Sequence, residues 1–246
     1  MPQRKRRKRQ KTSWVIPAAV VAVIVIAVVI VIFALPHSGE PEPTQPQGTG
    51  GTKVEYVEMD PIDLGQGLVI DYAGAYTGIY MEDGTNEMVT GLMMVILKNT
   101  GNQDLQLARF TLEYADFTAE FEVTNLPAGA SVVTLEKNRR DAAGEPKSAK
   151  LSTVVFFQEK MTLLEEQLEL SGSAGTISVK NISGADISGN IWVYYKYSAT
   201  DIFYGGITFR AKLTDGLKAG ESAQIPAGHY NPNSVKIVCV TVEGEA

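Results

Sequence analysis

Very few side chains in this sequence could carry bond-making chemistry. There are two histidines, His37 and His229. His37 lies in a Pro- and Gly-rich stretch, and His229 lies in Pro226-Ala227-Gly228-His229-Tyr230-Asn231. So placed, they cannot share a zinc ion at any standard ligand spacing. A Ser-His-Asp triad would have to use His229, and no G-x-S-x-G elbow accompanies it. The single cysteine, Cys239, falls within the apolar run Ile237-Val238-Cys239-Val240, which reads as a buried structural thiol. One cysteine permits no intramolecular disulfide. Glu82-Asp83-Gly84-Thr85-Asn86-Glu87 is the most oxygen-rich loop, but it lacks the alternating D-x-D-x-D-G spacing of a calcium site and reads as a solvated hairpin. Gly48, Gly50 and Gly51 belong to a low-complexity stretch, not a phosphate loop. The expectation is a non-enzymatic chain with no metal and no cofactor.

Aromatic residues carry the remaining functional signal. Tyr194, Tyr195, Tyr197, Phe203, Tyr204, Phe209 and Tyr230 crowd one third of the sequence. Most have work to do as core and cross-strand packing. Tyr195 and Tyr197 are the pair expected to face outward, as a stacking platform for sugar or a protein contact.

The elements that would present such a surface begin with a membrane span. Arg4, Lys5, Arg6, Arg7, Lys8, Arg9 and Lys11 form a basic head without an acidic residue, in segment 1–13. An uninterrupted apolar run of 22 residues follows, from Trp14 to Leu35. At about 1.5 Å per residue it spans roughly 33 Å, enough to cross a hydrocarbon core of about 30 Å. Trp14 sits where an interfacial aromatic anchor belongs, and the basic head marks its side as cytoplasmic. A cleaved signal peptide is the competing reading, but this core is longer than such signals carry, and Phe33-Ala34-Leu35-Pro36 is a poor cleavage site. The expected location is therefore the cell membrane, single-pass, with everything after Pro36 extracellular.

Residues 36–52 are rich in Pro, Gly, Gln and Thr and read as a solvated stalk. The whole chain has 22 basic and 28 acidic residues. With the seven basic residues of the head set aside, 15 face 28, a net of −13. An acidic exported part argues against nucleic acid as a ligand. The partners to expect are the lipid bilayer at the anchor and an envelope protein or cell-wall glycan beyond it.

From residue 53 the apolar pattern has period two, with Gly, Asn, Asp and Pro between short Val-, Ile-, Thr- and Tyr-rich runs, which predicts an all-β fold. The most helix-like stretch, Lys160 to Leu168, runs into Glu169-Leu170-Ser171-Gly172 and reads better as the approach to a strand. An internal repeat sets the organisation. Val95-Ile96-Leu97-Lys98-Asn99-Thr100-Gly101 matches Ile177-Ser178-Val179-Lys180-Asn181-Ile182-Ser183-Gly184, with Lys98 and Lys180 separated by 82 positions. Leu126-Pro127-Ala128-Gly129-Ala130-Ser131 matches Leu217-Lys218-Ala219-Gly220-Glu221-Ser222 at a separation of 91, so the second copy carries a longer connection before this turn. Ser152-Thr153-Val154-Val155-Phe156-Phe157 matches Ser234-Val235-Lys236-Ile237-Val238-Cys239, at 82 again. The units are placed at 53–160 and 161–246. Transferring the alternation of Phe110, Leu112 and Tyr114 at the same offset puts Trp192 and Tyr194 inside the second core and Tyr195 and Tyr197 outside.

Phe110-Thr111-Leu112-Glu113-Tyr114-Ala115-Asp116, with Asn99-Thr100-Gly101 before it and Leu126-Pro127-Ala128-Gly129 after it, resembles the bacterial FxLYD and CARDB-like extracellular immunoglobulin-like repeats. In the second unit Trp192-Val193-Tyr194-Tyr195-Lys196-Tyr197 departs from that pattern. The resemblance implies two tandem immunoglobulin-like β-sandwich domains in a surface setting, generally non-catalytic.

Overall fold

The structure is a computed structural model that describes residues 52–57, 59–199 and 201–243. The basic head Arg4 to Arg9, the anchor Trp14 with its apolar run, and the stalk lie outside the described residues. Fourteen strands and no helix make up the described part, so the fold is all-β. None of its elements is a helix long and apolar enough to cross a membrane.

The first copy of the repeat builds two three-stranded layers. One joins β3 (Leu68–Ile79), β4 (Met88–Asn99) and β7 (Ser131–Leu135); the other has the order β6 (Thr118–Leu126), β5 (Leu105–Glu113), β8 (Ser148–Phe156). The second copy repeats both. β9 (Leu168–Ser173), β10 (Thr176–Asn181) and β13 (Ser222–Pro226) match the first layer; β12 (Ile202–Leu213), β11 (Ile191–Ala199) and β14 (Val235–Val242) match the second. The helix-like stretch is irregular up to Gln167, and β9 begins at Leu168. Two short strands, β1 (Lys53–Val57) and β2 (Ile62–Gly65), extend the first copy by pairing with β3.

Between facing layers lie two cores. Leu68, Ile70, Met93, Val95 and Leu97 meet Ala108, Phe110, Leu112, Phe121 and Val123 in the first. Phe110, Leu112 and Tyr114 are buried, as their alternation predicts. The second core holds Ile177, Val179, Ile191, Val193, Tyr195 and Ile225. β4 is apolar at consecutive positions because both of its faces are covered. Its Leu92, Met94 and Ile96 enter a third cluster with Tyr76, Val133 and Leu135.

One polar corner explains why the repeat keeps Asn, Asp and Gly. Asn99 is fully buried; its Nδ2 donates to the Gln103 carbonyl at 2.9 Å, and its Oδ1 accepts from Gly101 N at 3.1 Å. Asn181, equally buried, donates to the Ala185 carbonyl at 2.7 Å and accepts from Ser183 N at 3.0 Å. Gly129 N reaches the Asn99 carbonyl, and Gly220 N reaches that of Asn181. Asp104 takes Ala128 N at 2.8 Å, and Asp186 takes Ala219 N at 2.9 Å. A side-chain amide thus ties off two strand ends that turn away from the ladder, leaving no buried carbonyl orphaned there.

The two copies share a sheet. β7 pairs parallel with β12, Ile202 to Tyr204 against Ser131 to Val133, and this fuses the layers into one sheet in the order β1-β3-β4-β7-β12-β11-β14. The longer connection of the second copy is spent here. Measured from the equivalent base pairs Leu105↔Leu126 and Ile187↔Leu217, the β11–β12 hairpin is longer than its β5–β6 counterpart, and its far end brings Ile202-Phe203-Tyr204 to β7. Phe203 packs on the first core, whereas Ile202 and Tyr204 pack on the third cluster. Tyr197 touches both the second core and the third cluster, so these share a face. The two small sheets therefore cover opposite faces of the long one. Residues 52–246 form one compact unit.

Candidate interaction face and the polar joint

Tyr195 is not at the surface. It is 2% exposed, with ring centroids 5.8 Å from both Phe209 and Tyr230. Inward positions on β11 are Ile191, Val193 and Tyr195, while Trp192 and Tyr194 lie on the opposite face. The expected parity is thus inverted. The connection after Asn181 and the bulges in β5 do not preserve the count between copies, and a shift of one residue exchanges the faces of a strand. Tyr197 is half-buried, its ring edge-on to Phe209 at 5.6 Å.

Tyrosines do gather at one surface, and both copies contribute. Tyr56 of β1, Tyr72 of β3, Tyr197 of β11 and Tyr204 of β12 lie on the face that holds the third cluster, over buried Tyr76. Tyr56 is 42% exposed, and its ring centroid is 5.3 Å from that of Tyr72. Beneath these rings Met94 is wholly buried, and Val133 nearly so. The half-buried rings act as a roof over this apolar part of the sheet. Burial raises the pKa of Tyr56, Tyr197 and Tyr204, and pushes Tyr76 up to about 12, so all stay neutral donors.

Behind this face lies a buried polar joint. β12 carries four residues, Gly205 to Thr208, where β11 offers only Lys196 between Tyr195 and Tyr197. Bulged backbone must find other partners. Fully buried Lys196 supplies donors: its Nζ reaches the Gly205 carbonyl at 3.0 Å and that of Gly206 at 2.5 Å. The Glu82 carboxylate supplies acceptors, taking Gly206 N and Ile207 N at 2.9 Å each and Leu135 N at 2.8 Å. Burial drives the Lys196 pKa down to about 7 against the pull of Glu82. It drives that of Glu82 up, against three backbone donors and Lys196. At Gly206 a Cβ would overlap the Glu122 carbonyl oxygen, so a side chain is excluded where β12 passes β6. Thr208 N donates to Thr124 Oγ1 at 2.9 Å, and Thr208 Oγ1 donates to the Thr124 carbonyl at 2.9 Å. Asp104 Oδ2 takes Met161 N at 2.7 Å, fastening the connection between copies. No spacing motif marks Lys196 or Glu82; a lysine among inward aromatics was the one available signal.

The other candidates for chemistry are occupied structurally. Cys239 is 2% exposed, and burial, aided by Asp104, pushes its thiol up to about 12. His229 lies against Phe209, centroids 4.8 Å apart, with its Nε2 beside Gly84. In the acidic loop, Asp83 and Glu87 clamp Arg139 at 2.8 and 2.6 Å. Among the described residues no group of three or more His, Cys, Asp or Glu could hold a metal ion. No family model, curated protein or solved structure matches the chain.

Proposed function

We propose that this chain is a single-pass membrane protein presenting a stiff, non-catalytic recognition body outside the cell. In this reading segment 14–35 is the membrane helix, Arg4 to Arg9 stay in the cytoplasm, and 36–52 is the stalk. Residues 53–160 and 161–246 are two immunoglobulin-like β-sandwich modules, in line with the resemblance to FxLYD and CARDB-like repeats. The observation that carries it is the tyrosine face, to which both modules contribute and which the shared sheet holds in fixed register. Tyrosine offers large contact area, little entropy to lose and a hydrogen bond at its tip, the qualities of an interface anchor. The partner is an envelope protein.

The test is photo-crosslinking in native membranes with a reactive amino acid at Tyr204, compared with one at exposed Lys150 of β8, on the small sheet that covers the opposite face. A discrete adduct at 204 that disappears with Tyr56→Ala is expected. Identical adduct patterns at both positions would count against the face. Protease shaving of intact cells should remove residues 53–246; full protection would sink the orientation.

A further inference from the structure

The opposite face of the long sheet holds a separate site. Where the small sheet β6-β5-β8 ends, it leaves a cleft of about 560 Å³ against the outer side of β11, β12 and β14. Arg109 and Glu122 stand on the first wall, and Tyr194 and Arg210 on the second. A neighbouring cleft of about 550 Å³ shares Arg109, Glu122 and Ile207, and continues to Lys137 and Arg139.

The charges here are unbalanced in a revealing way. Each acid has a partner already: Glu122 holds Arg109 at 2.8 Å and Lys137 at 3.9 Å, Asp83 holds Arg139, and Glu82 takes three backbone donors. Arg210 is exposed and makes no ion pair among the described residues. Its guanidinium lies 4.6 Å over the Trp192 ring, and Lys212 lies over the same ring at 4.9 Å. Both cations act on Glu243, which is held by Asn190 at 2.7 Å; that bond leads the lowering of its pKa, with a Trp192 hydrogen bond and then Lys212 and Arg210 adding to it. Stacking orients Arg210 without consuming its N–H donors. In a chain whose net charge beyond the basic head is −13, this is a cationic spot suited to an anion.

An extended peptide is the obvious rival occupant, and it would bind by adding to a strand edge. On β6 and β14 the edge groups nearest the cleft are taken. On β6, Glu120 uses its carbonyl for Lys137 N and its N–H for Glu136, and the Glu122 and Thr124 carbonyls accept from Thr134 and Thr208. On β14, Val240 N is bonded to the Thr162 carbonyl. Side chains must then carry much of the recognition, and those present combine planar polar groups (Gln106, Arg109, Asn125, Arg210) with two half-exposed rings, Tyr194 and Phe157, set among the apolar Leu107, Val155 and Ile207. Such groups match paired hydroxyls and a flat C–H face. We propose that the cleft binds a carboxylate-bearing oligosaccharide, its carboxylate held by Arg109 and Arg210 and a sugar ring laid on Tyr194.

The experiment is calorimetric titration of the full-length protein in nanodiscs with trigalacturonate, maltotriose and pentaglutamate. Trigalacturonate should bind, more weakly as salt is raised, while maltotriose does not. Arg210→Gln and Tyr194→Ala should each weaken binding about tenfold or more, the loss expected of one charge-assisted or stacking contact. Thermal melts of both variants confirm that they fold. Tyr204→Ala, on the other face, should leave sugar binding unchanged. No wild-type binding of trigalacturonate, equal binding by both variants, or tighter binding of pentaglutamate would each overturn the proposal. Loss of the Tyr204 crosslink with sugar binding intact would sink only the protein-partner reading.

Discussion

Lys196 is the side chain on which most depends. Two backbone carbonyls lose their donor if it is shortened, and Glu82 loses a cation that favours its charged form. Lys196→Met should therefore destabilise by about 3 kcal/mol, the scale for breaking a buried pair, read from urea midpoints. Its titration has a definite sign. Folded Lys196 holds its proton less tightly than in the unfolded chain, because burial drives its pKa down to about 7 from 10.5. Above about pH 7 the unfolded state is then the better proton binder, so this residue's contribution to stability rises with pH. Between pH 7 and 8.5, below the ordinary range of Cys239 and the tyrosines, wild type should gain stability relative to Lys196→Met. A flat difference over that interval would refute the assignment. The buried amides give a second check. Asn99→Ala and Asn181→Ala should cost similar amounts, about 2 kcal/mol each, since each strands buried carbonyls at an equivalent corner. Widely different losses would mean that the two corners are not energetically equivalent.

At the scale of elements, the β11–β12 hairpin makes two copies into one body. Cutting it back to the length of β5–β6 should split a single calorimetric transition into two and open residues 157–164 to proteolysis. One unchanged transition would show that the side-chain joint suffices alone. The sequence made some of this legible. Period-two patterning, the Asn and Gly corners and the separations of 82 and 91 all survive as strands, turns and an enlarged hairpin. Face assignment in β11 did not. Parity carries no memory across a bulge, and Trp192, Tyr194, Tyr195 and Tyr197 are aromatic on both faces, so hydrophobicity could not correct the count. Glu82 was equally hidden. Its loop reads as solvated, and only contact with Gly206 and Ile207, far along the chain, turns its carboxylate into a structural acceptor.

As a whole molecule, the described part carries a tyrosine face and an arginine-lined cleft on opposite sides of one sheet. Their ligands should bind independently, with crosslinking at Tyr204 unaffected by trigalacturonate. The parallel pairing of β7 with β12 has a further consequence, in the order of synthesis. β7 is complete once Leu135 has been made, but its second neighbour does not exist until Ile202 to Tyr204 arrive. Until then the growing chain presents Ser131 to Leu135 as a bare apolar edge, and the third cluster lacks part of its roof. A nascent first half is thus a sticky intermediate that calls for a holding chaperone or for rapid completion. A fragment ending at residue 160, the cut that the repeat itself suggests, should aggregate during expression while the longer chain stays monomeric.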